Sequence, residues 1–226
     1  MIIIENTNSI ESLESKLFEL NFNPKKITEV TNLITVCDEV YSKRIRKSLI
    51  SYWSHIENGL FAYLEDNFRD ISALKIYLAH DFVEEGIKLG LTENYLYEKL
   101  MNLNLTNLEL ECIKLHTLSE KNNTPEGKIE HLRTLLSTQN PLYSHFSITK
   151  GYDVCENSLN GITFLSLKAA EIKEIQAKEI ISFFNSNKKT ISQTLNCPNN
   201  SIHYLISRLE DSIQNINKYY LFFEEC

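Results

Sequence analysis

Glycine and proline are scarce in this chain, at six and four among 226 residues. Sheet-rich folds use both in tight turns, so the scarcity argues against an architecture of many hairpins. Long apolar runs are missing as well. No stretch of 18 uncharged apolar residues occurs, which leaves no candidate membrane span. The opening MIII is too short for the apolar region of a signal peptide and runs straight into Glu5. Positive charge is in short supply: 23 Lys and Arg stand against 30 Asp and Glu, a net charge of −7. Phosphate backbones need a basic face, so no nucleic-acid partner is expected. The one basic cluster, Lys43-Arg44-Ile45-Arg46-Lys47, reads as a solvated helix face. There is no CxxC. The five cysteines, Cys37, Cys112, Cys155, Cys197 and Cys226, are odd in number and widely spread, which fits a reduced, cytoplasmic protein. Cys37, Cys112 and Cys155 fall on apolar stripes and read as small core residues.

What is present is helical periodicity. Ile10, Leu13, Leu17 and Leu20 line one face after an Asn8-x-x-Glu11 capping pattern. Asn23 and Pro24 open a second helix with Ile27, Val30, Leu33, Ile34, Cys37, Val40 and Tyr41 inward. A bend is expected near Ser42, because the stripe continues through Trp53 to Leu64 for longer than globular helices run. Asp70 or Ser72 caps the next helix, which Gly90 closes, and Thr92 and Thr106 begin two more. Thr124-Pro125 opens a helix that lasts to the Asn140-Pro141 break. Ala169 to Phe184 follows, with a bend expected at Asn185 to Lys189, and Ser201 caps the last helix. These elements predict an all-α fold in a single multi-helical bundle.

One stretch departs from the ordinary pattern: Ser144 to Leu167, SHFSITKGYDVCENSLNGITFLSL. It carries Gly161 inside a helical pattern, one turn after Asn157, at a cost of about 0.5–1 kcal/mol relative to alanine. Either a tight helix crossing or a ligand lying against helix backbone accounts for such a glycine.

Three regions together resemble the haem oxygenase superfamily and its TenA-like relatives. They are Trp53 to Glu84 with the early His55; Tyr152 with Asn157, Leu159, Asn160 and Gly161; and the aromatic close Tyr219-Tyr220-Leu221-Phe222-Phe223. The resemblance covers about Arg44 to Phe223 and implies a haem-oxygenase-like domain over residues 43–226, with residues 1–42 as an N-terminal helical extension. It implies a haem cofactor with His55 as the metal ligand, and Tyr152 and Asn160 beside the cofactor. Asn157 and Gly161 would shape the distal side of a helix running from Tyr152 to Leu165. Lys188 or Lys189 would join Tyr152 at the propionates. The implied reaction is oxidative opening of the porphyrin ring with dioxygen, its electrons coming from a reductase or ferredoxin. This chain departs from the family at Asn157 and Ile162, where the family has glycine.

Other readings of the same fold stay open. A di-iron centre would draw on His80, Asp81, Glu84 and Glu85, with Glu111 and His116 or Glu130 and His131, although no Glu-x-x-His occurs. The His80 to Glu85 cluster by itself reads as a solvated face. A TenA-like hydrolase would use Cys155 beside Glu156. A helical interaction module would use the helices of residues 1–42, which also suit homodimerisation.

Overall fold

The computed structural model describes residues 7–45, 51–117, 124–137, 142–155 and 167–220. Within them the chain is helical throughout: α1 (Thr7–Glu19), α2 (Pro24–Tyr41), α3 (Tyr52–Glu65), α4 (Ile71–Ala79), α5 (Phe82–Lys88), α6 (Glu93–Met101), α7 (Asn107–His116), α8 (Pro125–Leu136), α9 (Leu142–Val154), α10 (Leu167–Thr194) and α11 (Asn199–Tyr220). The all-α expectation holds. No described helix is long and apolar enough to cross a membrane.

Local chemistry explains most of the boundaries. Asn23, Ser51, Asp70, Thr92, Thr106 and Thr124 each accept a backbone N–H of the helix they precede. Such caps contribute about 1 kcal/mol apiece. Thr106 and Glu109 close a reciprocal capping box. Gly90 takes φ +86° just beyond α5, where a residue without Cβ carries no penalty. The break expected near Ser42 is present, and Ile45 and Ser51 pair across it.

Four boundaries differ from the sequence expectation. Helix α1 is already under way at Thr7, ahead of the Asn8 cap. The helix expected from Asp70 to Gly90 breaks in two at His80 and Asp81. Helix α10 runs unbroken through Asn185 to Lys189, because Phe184, Ile191 and Leu195 keep its buried stripe going and Asn187 Nδ2 donates to the Phe183 carbonyl at 2.9 Å. Helix α11 starts at Asn199, directly after Pro198, and Ser201 lies buried in its first turn rather than capping it.

Helix α9 is the central element. It packs against α3, α4, α7, α8, α10 and α11. Ser144 to Thr149 and Gly151 to Val154 are all buried. Its polar residues survive there by bonding locally: Ser147 Oγ donates to the Ser144 carbonyl and Thr149 Oγ1 to the His145 carbonyl, both at 3.0 Å. Helices α1 and α2, which fall within the stretch read from sequence as an extension, bury side chains in the same hydrophobic core as the later helices. Leu13 and Leu17 of α1 and the whole stripe of α2 are buried in it. Trp53 Nε1 donates to Asp38 at 2.7 Å and Tyr41 Oη to the Leu78 carbonyl at 3.0 Å, tying α2 to α3 and α4. A buried Lys75 ammonium, 2.8 Å from Glu109 and 3.3 Å from Glu29, joins α2, α4 and α7.

Candidate metal centre

The break between α4 and α5 sets up the site. His80 is the residue after α4, and Asp81 stands where an N-cap for α5 belongs. Aspartate is among the preferred capping residues, yet Asp81 makes no side-chain cap bond to its own helix. Its carboxylate is turned inward instead. Asp81 Oδ2 accepts a hydrogen bond from Tyr52 Oη at 2.5 Å and lies 3.2 Å from His80 Nε2 and 3.7 Å from His55 Nε2.

His55 comes from the buried stripe of α3, in register with Tyr52, Ile56 and Gly59. Its Nε2 is 3.9 Å from Oδ1 of Asp153, near the end of α9. One ligand atom from each of His55, His80 and Asp153 falls within 4.8 Å of the others, and all three residues are buried. His116, the last residue of α7, sets its ring 5.4 Å from that of His80 and 4.5 Å from Phe146. Its Nε2 is buried with no hydrogen-bond partner among the described residues. Aromatic rings wall the cluster: Tyr77 stacks on His80 at 5.0 Å, and Tyr52 meets His55 edge-on at 5.7 Å.

The electrostatics are those of a tightly balanced buried group. Burial pushes the Asp81 carboxyl up, but His80 and His55 outweigh it and hold it well below the usual carboxylate range. Burial acts the same way on Asp153, and Lys150 and Lys173 pull it well below. Burial pushes His80 down, yet Asp81, Asp153 and the Tyr77 carbonyl bring it above its ordinary value. His116 is driven well below its ordinary value by burial and by the charges of His80 and Lys150.

The donor set fits a metal ion. Nδ1 of His80 lies 2.6 Å from the Tyr77 carbonyl, which fixes the proton there and leaves Nε2 as the inward, ligating nitrogen. Tyr52 plays the corresponding part for Asp81. A porphyrin iron fits less well. The Nε2 atom of His55 faces two carboxylates under 4 Å away, and a macrocycle bonded to it would occupy their space.

Of the residues expected at the site from sequence, His55 lies in the cluster. Tyr152 lies one residue from Asp153 but has a different task. Its hydroxyl donates to Asp66 at 2.8 Å, where Arg208 also binds through Nε at 2.8 Å and Nη2 at 2.9 Å. Asn157, Asn160, Gly161 and Ile162 lie outside the described residues, as does the helix expected beyond Cys155. Lys189 is exposed and Lys188 half-buried on α10. The reading of His80 to Glu85 as a solvated face is corrected: His80 is 1% and Glu85 4% exposed. Of the carboxylates and histidines weighed for a di-iron centre, His80, Asp81 and His116 converge. Glu111 and Glu130 are exposed, and His131 Nε2 rests 2.8 Å from the Leu115 carbonyl. Cys155 is buried, and burial pushes its thiol up, away from a reactive thiolate.

Sequence reasoning passed over Asp153 altogether. The signal was available, since Asp153 sits in a stretch of small and apolar residues, next to Tyr152 and Val154. His55, His80 and His116 likewise each fall on an apolar stripe. No protein-family model, curated protein or solved structure matches the chain.

Proposed function

We propose that this protein is a non-haem metal protein whose ion is held by His55, His80 and Asp153. The observation that carries this reading is the convergence of two imidazoles and one carboxylate, from three separate helical segments, in a buried space. Two histidines with one carboxylate are the set that suits ferrous iron and leaves coordination positions open. Iron so held supplies binding positions for dioxygen and substrate. The chain's own residues do the rest. The Tyr77 carbonyl orients His80, Tyr52 holds Asp81 against both histidines, and Lys150 and Lys173 keep Asp153 ionised. The rings of Tyr52, Tyr77 and Phe146 exclude water. The haem-oxygenase-like fold remains a proposal beside this one. On it the helices keep that arrangement while a bare ion replaces the porphyrin.

The test is an anaerobic titration of metal-stripped protein with Fe(II) and, in parallel, Zn(II), followed by calorimetry and metal analysis. Saturation near one equivalent that is lost in His80→Ala and in Asp153→Asn supports the reading. Equal, weak uptake by wild type and both variants sinks it. A haemin titration runs beside it. A saturable Soret band that depends on His55 and survives His80→Ala would transfer the site to haem.

A further inference from the structure

His55, His80 and Asp153 are all buried, so electrons for any redox chemistry at an ion between them have to cross protein. Two adjacent residues of α3 bear on the route. Tyr52 and Trp53 are both buried, and neighbouring side chains on a helix point about 100° apart. Tyr52 is turned toward the cluster, where its hydroxyl donates to Asp81 Oδ2 at 2.5 Å and its ring meets that of His55 edge-on. Trp53 is turned toward α2, where its Nε1 donates to Asp38 Oδ1 at 2.7 Å. Asp38 is only half-buried, at the margin of the core. Tyr41, the last residue of α2, bridges the two. Its ring stacks on Tyr52 at 5.1 Å and 20° and meets Trp53 edge-on at 5.3 Å and 87°. A continuous run of ring contacts thus joins Asp81 to Asp38.

The hydrogen bonds along this run differ in a way that packing does not require. Packing alone asks for three apolar rings, whereas a buried hydroxyl or indole N–H has to be given a partner. Phenol and indole give up an electron far more readily when a base takes the proton. Tyr52 and Trp53, at the two ends, each donate to a carboxylate. Tyr41, between them, donates to the Leu78 carbonyl at 3.0 Å, too weak a base to take its proton. An electron hole is therefore stabilised at the ends and passes through the middle. The potentials of a phenol and an indole lie close together, so transfer can run in either direction.

We propose that Tyr52, Tyr41 and Trp53 form a one-electron relay between the metal centre and the protein exterior beside Asp38, with Tyr52 as the redox-active residue next to the ion. The link to the ion rests on the metal reading of His55, His80 and Asp153; transfer between Trp53 and Tyr52 needs no metal. With Fe(II) in place and hydrogen peroxide as the oxidant, the O–O bond breaks and peroxide is reduced to two hydroxide ions. One electron comes from Fe(II), which becomes Fe(III). The other comes from Tyr52, whose proton moves to Asp81 Oδ2. An electron from Trp53 then passes by way of Tyr41 to the phenoxyl radical, the proton returns to it from Asp81, and Trp53 gives its Nε1 proton to Asp38. An external one-electron reductant such as ascorbate restores Trp53, which recovers its proton from Asp38.

The experiment has two arms. In the first, azide radicals generated by pulse radiolysis oxidise Trp53, the single tryptophan, in metal-stripped protein. The indolyl absorbance should decay as phenoxyl absorbance rises, at a rate independent of protein concentration. That transfer should be lost in Tyr52→Phe, which keeps the ring, and slowed in Tyr41→Leu, which removes the bridge. In the second arm, Fe(II)-loaded protein is mixed with hydrogen peroxide, with and without ascorbate, and frozen for electron paramagnetic resonance. A phenoxyl radical is expected that ascorbate quenches in wild type and that persists in Trp53→Phe. Transfer unchanged in Tyr52→Phe overturns the proposal, as does a radical quenched equally fast in wild type and Trp53→Phe. Transfer in the first arm by a protein that takes up no iron upholds the relay and removes the metal reading alone. Iron uptake without transfer upholds the metal reading and overturns the relay.

Discussion

Gly59→Ala is the most direct test of how the helix packing shapes this centre. A Cβ built on Gly59 lies 1.9 Å from Tyr77 Oη, 2.3 Å from its Cζ and 2.6 Å from its Cε1. Ordinary contact begins near 3.4 Å, so the tyrosine must retreat by about 1.5 Å in an interior packed as densely as an organic crystal. Its retreat is blocked. The Tyr77 ring stacks on His80 at 5.0 Å and has Tyr152 edge-on at 6.4 Å. Helix propensity by itself favours alanine over glycine by about 1 kcal/mol. Overpacking of a core costs typically about 1–3 kcal/mol, and a contact this short on a hemmed-in ring belongs at the upper end. The expected net effect is a destabilisation of about 1–2 kcal/mol, or a fall in Tm of a few degrees for a chain of this size. Urea unfolding followed by the fluorescence of Trp53, the single tryptophan, measures it. Because Tyr77 carries the carbonyl that orients His80, metal affinity should fall with stability. Tyr77→Leu should relieve the clash, giving a coupling of about 1 kcal/mol or more in a double-mutant cycle. A Gly59→Ala protein more stable than wild type, as propensity alone dictates, would refute the reasoning.

Three further outcomes are expected. Asp66→Ala strips the partner from Tyr152 and from the two-point hold of Arg208, and should cost on the order of 3 kcal/mol in chemical denaturation; a loss under a few tenths would show the clamp to be idle. A metal bound at the site should stabilise the fold by about 2.7 kcal/mol at a hundredfold excess over its Kd, so chelation should lower Tm in wild type and leave that of His80→Ala unmoved. Burial pushes the Cys112 thiol up to about 12 and raises Cys37 and Cys155 as well. Labelling of these three by a thiol reagent at neutral pH should therefore follow unfolding, and rapid labelling of the native protein would contradict the burial.

Much of the fold was legible because helix formation is written locally. Asn23-Pro24, Asp70, Thr92, Thr106 with Glu109, and Thr124-Pro125 announce helix starts through side-chain chemistry that needs no tertiary context. The buried stripe of α2 was read residue for residue. The tight crossing considered for Gly161 is found at Gly59, where Tyr77 fills the space of the missing side chain. Ser144 to Leu167 was singled out for its polar groups and glycine, and its first half is the helix about which the others pack.

The site was less legible, and the reason is physical. Periodicity treats residues 70–90 as one helix, and on one continuous helix His80, Asp81, Glu84 and Glu85 read as a solvated face. At that break Tyr52 and His55 of α3 face the Asp81 carboxylate, which makes no cap bond to α5. No local rule encodes a partner 29 residues away. Asp153 and His116 join His55 and His80 only where α3, α7 and α9 meet. The sequence by itself determined the class of fold, the starts of α2, α4, α6, α7 and α8 and the buried stripe of α2, because those follow from neighbouring residues. Tertiary packing alone decided which histidines and carboxylates face one another. Desolvation fixes their charges only once the helices have closed around them.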